Sequence, residues 1–524
     1  MAGSGGLEQR RPATLDIEAL RHAWQDKPQW TVLQAAFGNG AQFIAAWHAW
    51  RIDPRRPRML HFVGIAQPSF SAEDIVGAPA LDPGLKSLAA ELAAQCWGML
   101  PGTHRLVFES GRVLLTLHVG DADGVLQRER IRADTVLSPH PLLARQTNDA
   151  TAPGATTPAH CVVIGAGIAG AAVARSLAMR GWRVTVLDAA SHPAAGASSL
   201  PAGLLAPHFS PDDAMLSRLS RAGVRATLGD AHRLLKEGRD WAPCGAMERR
   251  SSAPGESALS SAGAAWTRSP STESLAAVGE GAWLWHERSA WIKPAALVHA
   301  WLASSGVTWR GNAKVATIER EDGAWAVRDE HGATLAQAPL VVVAAALESA
   351  TLLRHAPPLT PVRGQVTWGP LDAADQFPAF AVNGNGHFIA GVPHEGGTAW
   401  LCGSTFDRGE TTTEPRAADH ARNLNRLGEL LSHVAQQLAP RFNDGAVNAW
   451  TGVRCASATR RPLVGELEPG LWMSTAMGSR GLTFAVLCAE ILAARLHGEP
   501  LPVEQRLADA LMPPATPHGP AGAR

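Results

Sequence analysis

The sequence predicts an α/β protein whose C-terminal part carries a second, α+β domain. The main observation is residues 161–188, where a short apolar run, a glycine-rich turn, a helix-like run and a second apolar run follow one another. Residues 30–50 repeat the order of strand, glycine turn and helix. Residues 360–404 hold three β-rich runs separated by turns, which favours an antiparallel sheet. Strands that alternate with helices are typical of doubly wound parallel sheets.

The glycine turn at residues 165–170 has the G-x-G-x-x-G spacing of a dinucleotide-binding unit. Gly165 permits the tight turn, Gly167 lets a pyrophosphate approach the backbone, and Gly170 lets the helix pack on the strand. The helix, predicted over 171–179, offers free N–H groups at its start to phosphate oxygens. Asp188 follows the second strand, where an acidic residue accepts hydrogen bonds from ribose hydroxyls. The alternative is a βαβ unit with a glycine turn and no ligand.

Composition limits the class of protein. The chain has 524 residues, and its 47 lysines and arginines balance its 47 aspartates and glutamates, so no global charge points to a polyanionic partner. The six cysteines lie apart without a C-x-x-C pair and the histidines show no metal-ligand spacing, so we expect neither a disulfide framework nor a metal site. The N-terminus lacks a hydrophobic signal core and no apolar run could span a bilayer. We therefore expect a cytoplasmic protein without membrane contact.

Residues 1–145 form a separate predicted domain of truncated α/β type. Strands are expected over 30–36 and 60–65, in a hairpin of 106–108 with 113–119, and over 134–137. The turn Phe37-Gly38-Asn39-Gly40 follows the first strand and leads into a helix. These strands are too few for a complete doubly wound sheet. Residues 146–159 are rich in Pro, Thr, Ala and Gly, which predicts a linker.

Residues 160–513 are predicted to form one larger domain, followed by a disordered tail over 514–524. Its nucleotide-binding part is expected at about 160–235, 295–360 and 449–513, and its substrate-binding part at about 236–294 and 361–448. Segment 196–207 is rich in small residues and is expected to pass close to a cofactor. Residues 251–281 are biased towards Ser, Ala and Gly, which predicts surface loops or an insertion. Strands are predicted over 307–310, 313–320, 325–329, 340–345, 360–368, 386–392, 398–404 and 471–474.

Three motifs are spaced along this larger domain: G-x-G-x-x-G at its start, V-R-G-Q at 362–365 and G-S-R-G-L at 478–482. Together they resemble flavin amine oxidases of the D-amino-acid oxidase and glycine oxidase type. Longer segments are GVRCASATRRPLVG, MGSRGLTFAVLCAEILAARL, G-A-S…G at 196–203 and W-x-x-P at 291–294. These resemble the family of bifunctional tRNA 5-methylaminomethyl-2-thiouridine biosynthesis proteins. The resemblance covers about residues 160–513 and implies an FAD-binding Rossmann-type fold.

The resemblance implies an FAD-dependent oxidoreductase that acts on CH–NH groups. In that family the reaction removes the carboxymethyl group from 5-carboxymethylaminomethyl-2-thiouridine at the tRNA wobble position and leaves 5-aminomethyl-2-thiouridine. FAD as cofactor and tRNA as partner follow from it. Two alternatives remain open: an oxidase of free glycine or D-amino acids, and a non-catalytic scaffold that binds tRNA or protein.

Arg454 is the candidate for binding the substrate carboxylate, because a guanidinium grips a carboxylate through two parallel hydrogen bonds. Its position also matches the carboxylate-binding arginine of glycine-oxidase-like enzymes. The alternative role is a surface ion pair. Arg480 is expected to aid the flavin or the substrate. Further expected FAD contacts are Ala197, Ser198, Gly478, Ser479, Gly481 and Leu482.

Other positions carry weaker expectations. Val315 and Ala345 are placed in strands beside the adenosine, with plain core packing as the alternative role. At Ser199-Leu200 the family tends to have Gly-Asn. The residues expected in loops and without a catalytic role are His208, His387 and His394.

Residues 1–145 resemble the methyltransferase half of the same family through AFGNG, HFVGI and LPGTHRLVFESGRVLLTLHVGDA. This chain has Ala66-Gln67 where the family has an acid, and Ser138-Pro139-His140 where the family has acid-glycine-phenylalanine. A buried nucleoside site without its ribose acceptor loses a hydrogen bond worth about 1–3 kcal/mol. We therefore expect the methyltransferase to be lost. S-adenosylmethionine would bind only if this region were still competent, and a separate methyltransferase becomes a candidate partner.

Contact with tRNA requires local basic surface, and two clusters qualify. One is Arg51, Arg55, Arg56 and Arg58, and the other is the pair Arg460-Arg461 near Arg454. Both suit phosphate contacts, and both are also typical of ordinary solvated faces.

Overall fold

The structure, a computed structural model, describes residues 15–76, 83–137, 156–252 and 261–514. Its contacts divide the chain into two units. The N-terminal unit holds Met1–Ala155 together with Gly498–Gln505, and the C-terminal unit holds Thr156–His497 together with Arg506–Arg524. Most of the predicted linker and tail lies outside the described residues, as does Ser138-Pro139-His140.

The described part of the N-terminal unit contains one five-stranded sheet, in the order β3-β4-β2-β1-β5. Strands β1, β2, β4 and β5 are parallel, and the predicted hairpin is confirmed as the antiparallel pair of β3 and β4. The strands are β1 (Gln29–Gln34), β2 (Met59–Ala66), β3 (Gly102–Phe108), β4 (Val113–Val119) and β5 (Thr135–Val136). The helices are α1 (Ile17–Ala23), α2 (Ala41–Ile52), α3 (Ala72–Val76), α4 (Lys86–Gln95) and α5 (Ala122–Arg128).

Strands β2 and β4 lie inside this sheet, and all their residues are buried. Continuous apolar runs of this kind are typical of strands that are covered on both faces. One face packs on α2 and α4 through a cluster that includes Trp47, Phe62 and Leu92. The other face packs on α5 through Val63 and Leu126.

The segment Gly498–Gln505 supplies part of this unit from near the other end of the chain. Glu504 Oε1 accepts a hydrogen bond from the Thr103 backbone N–H at 3.2 Å. The Pro500 carbonyl accepts one from Arg105 Nη2 at 2.5 Å. Glu499 Oε1 lies 3.7 Å from His61 Nε2, and both side chains are buried. The segment therefore contributes both backbone and side-chain contacts to the sheet.

His118 is expected to make the stability of the N-terminal unit pH-dependent. It is buried, its Nδ1 lies 2.9 Å from Thr103 Oγ1, and burial lowers its pKa from 6.5 to about 4. Between these values the unfolded chain binds a proton that the folded chain does not, so the free energy of unfolding falls as the pH falls. We expect a loss of about 2 kcal/mol between pH 7.5 and pH 5 from this residue. Denaturant unfolding followed by tryptophan fluorescence at both pH values measures it, and His118→Gln should remove that share. An unchanged pH dependence in the variant would contradict the assignment.

The described part of the C-terminal unit contains four sheets, one of nine strands, one of six and two of three. Its helices are α6 (Ile168–Met179), α7 (Met215–Leu234), α8 (Ser261–Ala264), α9 (Thr272–Val278), α10 (Pro294–Leu302), α11 (Ser349–Leu352), α12 (Ala417–Leu430), α13 (Ser432–Asn443), α14 (Gly481–His497) and α15 (Gln505–Asp509). Its strands are β6 (His160–Ile164), β7 (Arg183–Leu187), β8 (Gly203–Leu205), β9 (Trp241–Pro243), β10 (Ala246–Arg250), β11 (Thr267–Arg268), β12 (Ala282–His286), β13 (Ala290–Ile292), β14 (Val307–Arg310), β15 (Thr317–Glu321), β16 (Ala324–Arg328), β17 (Thr334–Ala338), β18 (Leu340–Val343), β19 (Leu359–Pro370), β20 (Ala381–Gly384), β21 (Gly386–His394), β22 (Gly397–Gly403), β23 (Asp407–Arg408), β24 (Asn448–Ser457), β25 (Leu463–Glu468) and β26 (Leu471–Thr475).

A six-stranded sheet in the order β14-β7-β6-β18-β26-β25 carries the predicted nucleotide-binding part. Its first five strands are parallel and β25 is antiparallel to β26. Helices α6 and α14 pack together, and Arg180 of the α6 C-cap pairs with Glu490 of α14 at 3.0 Å. The described part of the chain has no helix that is both long and apolar enough to cross a membrane.

The strand predicted over 313–320 is wrong in its first half, because β15 begins only at Thr317. Asn312 has φ 50°, and its N–H donates to the Ala190 carbonyl at 2.9 Å. The Ala313 N–H donates to the Asp188 carbonyl at 2.8 Å. These bonds hold residues 312–313 as a turn, and β15 joins a separate sheet with β16 and β17.

A nine-stranded sheet contains the three strands predicted over 360–404 and confirms their antiparallel pairing, while β10 and β20 of the same sheet pair in parallel. Its order is β11-β12-β10-β20-β21-β22-β19-β23, with β24 paired to β19. One face, the back face, packs on α12 and α13 through Phe388 and Trp400. The opposite face, the front face, carries Val366 and Leu401, and Trp291 of β13 belongs to the same buried cluster. The loops predicted over 251–281 are only partly present, because α8, β11 and α9 form there.

Candidate active site

The glycine turn between β6 and α6 is required by its close contacts. Gly165 has φ 109°, and a Cβ there would lie 2.6 Å from the Ala344 carbonyl oxygen. A Cβ on Gly170 would overlap the Gly165 carbonyl oxygen. Gly167 is more open, with Ser198 Oγ at 3.5 Å as the nearest atom to such a Cβ. Helix α6 begins at Ile168, earlier than predicted, because Gly170 lies inside its first turn.

Asp188 lies directly beside this turn, after β7. Its Oδ2 accepts a hydrogen bond from the Ala166 N–H at 2.6 Å, and its Oδ1 accepts one from the Ala190 N–H at 2.8 Å. Each carboxylate oxygen has two lone pairs, so both can accept a further hydrogen bond from a hydroxyl group. The carboxylate is therefore fixed in orientation and still able to hold a ribose.

Val315 and Ala345 do not lie in strands, contrary to the prediction. Val315 precedes β15 because of the turn at residues 312–313, and Ala345 follows the end of β18. A Cβ on Gly165 would lie 3.3 Å from the Ala345 Cα, so this residue does adjoin the glycine turn. Both side chains are partly buried and pack against the apolar cluster of the six-stranded sheet. Core packing, the alternative role, is thus present for both.

A second glycine turn, residues 478–482, opens α14 beside the start of α6. A Cβ on Gly481 would lie 3.2 Å from Ile168 Cγ2, and a Cβ on Gly203 would lie 2.8 Å from Leu482 Cδ1. Gly478 has φ 57° and no atom within 4 Å of its would-be Cβ, and Ser479 is exposed. Two helix N-termini therefore converge here, and each offers N–H groups and the positive end of its dipole to an anion.

The short 3₁₀ turn Ala197–Ser199 lies against the start of α6. Ser198 is buried, and its Oγ accepts a hydrogen bond from the Ile168 N–H at 3.0 Å. Ser199 Oγ accepts one from Trp450 Nε1 at 2.9 Å. This chain has Ser199-Leu200 where the family tends to have Gly-Asn, and Ser199 thus links the turn to strand β24.

Arg454, on β24, is a partly buried cation without a carboxylate partner. Its Nη2 donates to Ser404 Oγ at 2.5 Å, and its Nη1 lies 3.5 Å from the Thr405 carbonyl oxygen. Burial lowers its pKa to about 10, and no acidic group of the described residues offsets that effect. The surface ion pair considered as its alternative role is therefore absent from the described part of the chain. A buried charge of this kind favours an anionic ligand.

Two facing glycines shape the surface beside Arg454. Gly452 of β24 is paired with Gly364 of β19. A Cβ on Gly364 would lie 2.5 Å from Arg454 Nη2, and a Cβ on Gly452 would lie 2.6 Å from Trp450 Cζ2. The guanidinium and the indole therefore lie across the two glycines on the front face of the sheet. We call the surface formed by Gly364, Trp450, Gly452 and Arg454 the glycine trough.

The remaining polar residues of V-R-G-Q serve the back face. Arg363 is fully buried, and its Nη1 donates to Asp419 Oδ2 of α12 at 2.5 Å. Gln365 Oε1 accepts a hydrogen bond from the Arg416 N–H at 2.8 Å. The motif thus anchors α12 behind the sheet while Gly364 leaves room for Arg454 in front.

Arg480 lies in the second glycine turn and is partly buried. Burial and the charge of Arg460 lower its pKa. Burial lowers the pKa of His208, and the charge of Arg480 lowers it further. These interactions place Arg460, Arg480 and His208 in one electrostatic neighbourhood and favour the neutral form of the imidazole.

His387 and His394 lie in strand β21, and the prediction that they lie in loops is wrong; His208 does lie in a loop. His387 is paired with Gly403, next to the Ser404 that holds Arg454. Its Nε2 is buried and has no hydrogen-bond partner among the described residues. Burial and the charge of Arg454 lower its pKa to about 4, so this imidazole is neutral at pH 7.

Two aromatic residues of the site were not predicted. Trp450 shares its face of β24 with Gly452 and Arg454, and the alternating W-x-G-x-R pattern was the available signal. Phe406 follows β22, and its ring centre lies 5.8 Å from Arg454 Cζ. No periodic pattern marks it. The described residues hold no group of His, Cys, Asp and Glu side chains that could bind a metal ion.

Comparison with known proteins defines the class first. The FAD dependent oxidoreductase family (DAO) matches residues 160–495. Glycine oxidase from Geobacillus kaustophilus has a TM-score of 0.54 and 20% identity, covering 69% of this chain and 100% of its own. Iminodiacetate oxidase from Chelativorans sp. BNC1 has a TM-score of 0.53 and 21% identity, covering 67% and 98%. The chain is an FAD-dependent oxidoreductase with the fold of these oxidases.

Relatives that match nearly the whole chain define the family. The protein from Polaromonas naphthalenivorans is 45% identical, over 97% of this chain and 94% of its own, and that from Delftia acidovorans is 41% identical over the same shares. Both are named tRNA 5-methylaminomethyl-2-thiouridine biosynthesis bifunctional protein MnmC. The chain belongs to this family of bifunctional proteins. The first alignment runs over 598 positions and this chain has 524 residues, so at least 74 positions face gaps.

The residues around the glycine turns fit FAD, the cofactor of this class. Gly167 and Gly478 leave open space at two helix starts, where a pyrophosphate would be held. Asp188 retains acceptor capacity for ribose hydroxyls. The Ala197–Ser199 turn is hydrogen-bonded both to the start of α6 and to Trp450 of β24, so it connects the expected FAD site to the glycine trough.

Proposed function

We propose that this chain oxidatively removes the carboxymethyl group of 5-carboxymethylaminomethyl-2-thiouridine at the tRNA wobble position, giving 5-aminomethyl-2-thiouridine. The observation that carries the proposal is Arg454, a desolvated guanidinium whose described surroundings contain no carboxylate. The substrate side chain ends in a carboxylate and is a secondary amine. The names of the relatives support the tRNA base as its carrier.

The proposed chemistry is the oxidation of an amine. The C–H bond of the carboxymethyl carbon breaks with its electron pair as hydride, and the nitrogen lone pair forms the C=N bond of an iminium. Water then adds to that carbon and the C–N bond breaks, which releases glyoxylate and leaves the primary amine. FAD, when bound, supplies the two-electron acceptor for this hydride.

The protein's own residues bind and orient the substrate. Arg454 would hold the carboxylate through two parallel hydrogen bonds, while Ser404 Oγ fixes the guanidinium from the other side. His387 is neutral at pH 7, so it neither offsets the positive charge of Arg454 nor adds a second one. Arg480 and the contacts proposed for Ala197, Ser198, Gly478, Ser479, Gly481 and Leu482 would surround the flavin. Because the oxidation needs no protein nucleophile, the task of these residues is to orient the substrate and the flavin.

We further infer that the methyltransferase activity of the family is lost here. Ala66 ends β2 and Gln67 follows it, at the position where the family has an acid. The described sheet of the N-terminal unit has five strands, and at least 74 positions of a relative have no counterpart in this chain. Methylation of the primary amine would then fall to a separate methyltransferase, and a tRNA substrate implies work in the cytoplasm.

The test is single-turnover reduction of the flavin without oxygen. Purified holoenzyme is mixed with tRNA that bears the carboxymethylaminomethyl group, and in a second arm with glycine. Bleaching by the tRNA with release of glyoxylate is the expected result. Bleaching by glycine only would assign the chain to amino-acid oxidation, and protein that purifies without flavin would leave only a scaffold.

A further inference from the structure

Phe406 is an aromatic side chain that the fold leaves open to solvent. It is 45% exposed, and the other large apolar residues of the described chain with comparable exposure are aliphatic and lie elsewhere: Ile52, Val136, Leu234, Leu275 and Met512. The residue follows β22 and directly precedes the short strand β23. A single exposed apolar side chain is ordinary on a protein surface, so the charged groups around the ring decide whether it serves a ligand.

Two arginines flank the ring of Phe406. Arg454 Cζ lies 5.8 Å from the ring centre and Arg408 Cζ lies 5.9 Å from it. Arg408 is exposed and is paired in register with Val362, which is also the partner of Arg454, so both arginines share the front face. Both cations, the one of the glycine trough and the solvent-facing one, therefore lie within 6 Å of the ring centre of Phe406.

Nearby carboxylates do not neutralise these cations. Asp407 is the acidic residue between Phe406 and Arg408, and its carboxylate is held by Arg422 at 2.8 Å on the back-face side. Its second contact is Arg363 at 3.7 Å. Within the described residues no carboxylate lies within 4 Å of the Arg408 or Arg454 guanidinium. Charge and aromatic surface at this place thus suit a ligand that is both anionic and flat.

We propose that Phe406 and Arg408 bind the target nucleotide of a single-stranded RNA: its pyrimidine ring stacks on Phe406 and a backbone phosphate contacts Arg408. This inference rests on the proposed function and adds the recognition of the base to it. A short methylene–amine–methylene linker joins the pyrimidine to the carboxylate, so a base on Phe406 would place its carboxylate at Arg454. Aromatic stacking combined with cationic backbone contact is how proteins hold unpaired nucleotides.

The test is the binding of a fluorescein-labelled anticodon stem–loop RNA, with uridine or its carboxymethylaminomethyl form at the wobble position, to the FAD-loaded protein. Loss of one base stack weakens binding by about 5- to 150-fold, so Phe406→Leu should raise the dissociation constant by that factor. Phe406→Trp should retain the binding. Loss of one phosphate contact lowers the slope of log K against log salt by about 0.7, which is expected for Arg408→Gln.

Matched controls separate this role from general effects. Leu275→Ala removes another exposed apolar side chain, and Arg183→Gln removes another exposed arginine, so both should bind RNA as the unmodified protein does. N-methylglycine has the amine and the carboxylate but neither base nor phosphate, so Phe406→Leu should lower flavin reduction by N-methylglycine much less than flavin reduction by the RNA. A loss there equal to the loss with RNA would mean that Phe406 merely positions Arg454, and would overturn the proposal.

The outcomes for the base contact and for the reaction are distinct. RNA that binds and is oxidised equally well by Phe406→Leu and Arg408→Gln overturns the base contact and leaves the proposed reaction standing. RNA whose binding depends on both residues but which never reduces the flavin supports the contact and removes the reaction. Absence of RNA binding by the unmodified protein overturns the contact outright.

Discussion

Replacing Arg454 by glutamine is expected to lower kcat/KM for the carboxymethylated tRNA by about 30- to 5,000-fold. That range corresponds to the 2–5 kcal/mol that is typical of removing one partner of a buried, hydrogen-bonded charge pair. The loss is large because the other arginine on this residue, Arg426, binds the Ser404 carbonyl oxygen and not the Oγ that holds Arg454. Stopped-flow reduction of the flavin as a function of substrate concentration measures it.

A nearby glycine provides a second way to disturb the same guanidinium. Gly364→Ala leaves Arg454 in the chain but puts a methyl group 2.5 Å from its Nη2, so we expect part of the Arg454→Gln defect, mainly in KM. Arg461→Gln, in the segment between β24 and β25, is the control and should retain activity with N-methylglycine. Equal activity of Arg454→Gln and the unmodified protein would remove Arg454 from the substrate site.

Gly170→Val is expected to yield protein that cannot hold FAD. The new Cβ would overlap the carbonyl oxygen of Gly165. The backbone fixes the positions of both atoms, so neither can move aside by a rotamer change. Overpacking costs about 1–3 kcal/mol in cores where side chains can adjust, and a cost of 3 kcal/mol for the binding-competent turn corresponds to about 150-fold weaker binding. The ratio of flavin to protein absorbance after purification measures the loss.

Gly428→Ala is the matched control for this prediction. It also changes a helical glycine of the C-terminal unit, but its Cβ would have Ala435 Cβ at 3.9 Å as the nearest atom. Alanine is the better helix former by about 1 kcal/mol, so this variant should keep its flavin and gain slightly in stability. A yellow Gly170→Val protein with normal flavin content would show that α6 can be displaced without loss of the cofactor.

The local pattern of the chain was sufficient to predict the nucleotide-binding half. Gly165, Gly170 and Asp188 are near neighbours in sequence, and the contacts that require Gly170 and Asp188 lie within one βαβ unit. The error at residues 312–313 has the opposite origin. That segment is held by the carbonyl groups of Asp188 and Ala190, which belong to a distant part of the chain, and its own composition gives no sign of them.

The substrate face depended on strand pairing that sequence patterns do not reveal. Gly364 and Gly452 face each other only because β19 and β24 pair in one particular register. Without knowledge of that register, the V-R-G-Q motif does not predict that Arg363 faces the back of the sheet and Gly364 faces the front. Phe406 is missed for a related reason, since exposure at the end of a strand is set by tertiary packing.

The segment Gly498–Gln505 has a consequence for the order in which the protein can be completed. Ribosomes release the N-terminal unit first, yet the Glu504 that binds Thr103 and the Pro500 that binds Arg105 are made near the end. At about 5–20 residues per second, synthesis of the intervening residues 156–497 takes roughly 17–70 s. Throughout that interval the nascent N-terminal unit lacks the segment Gly498–Gln505 and its contacts. Its final contacts therefore form only on chains whose oxidase sequence has already been translated.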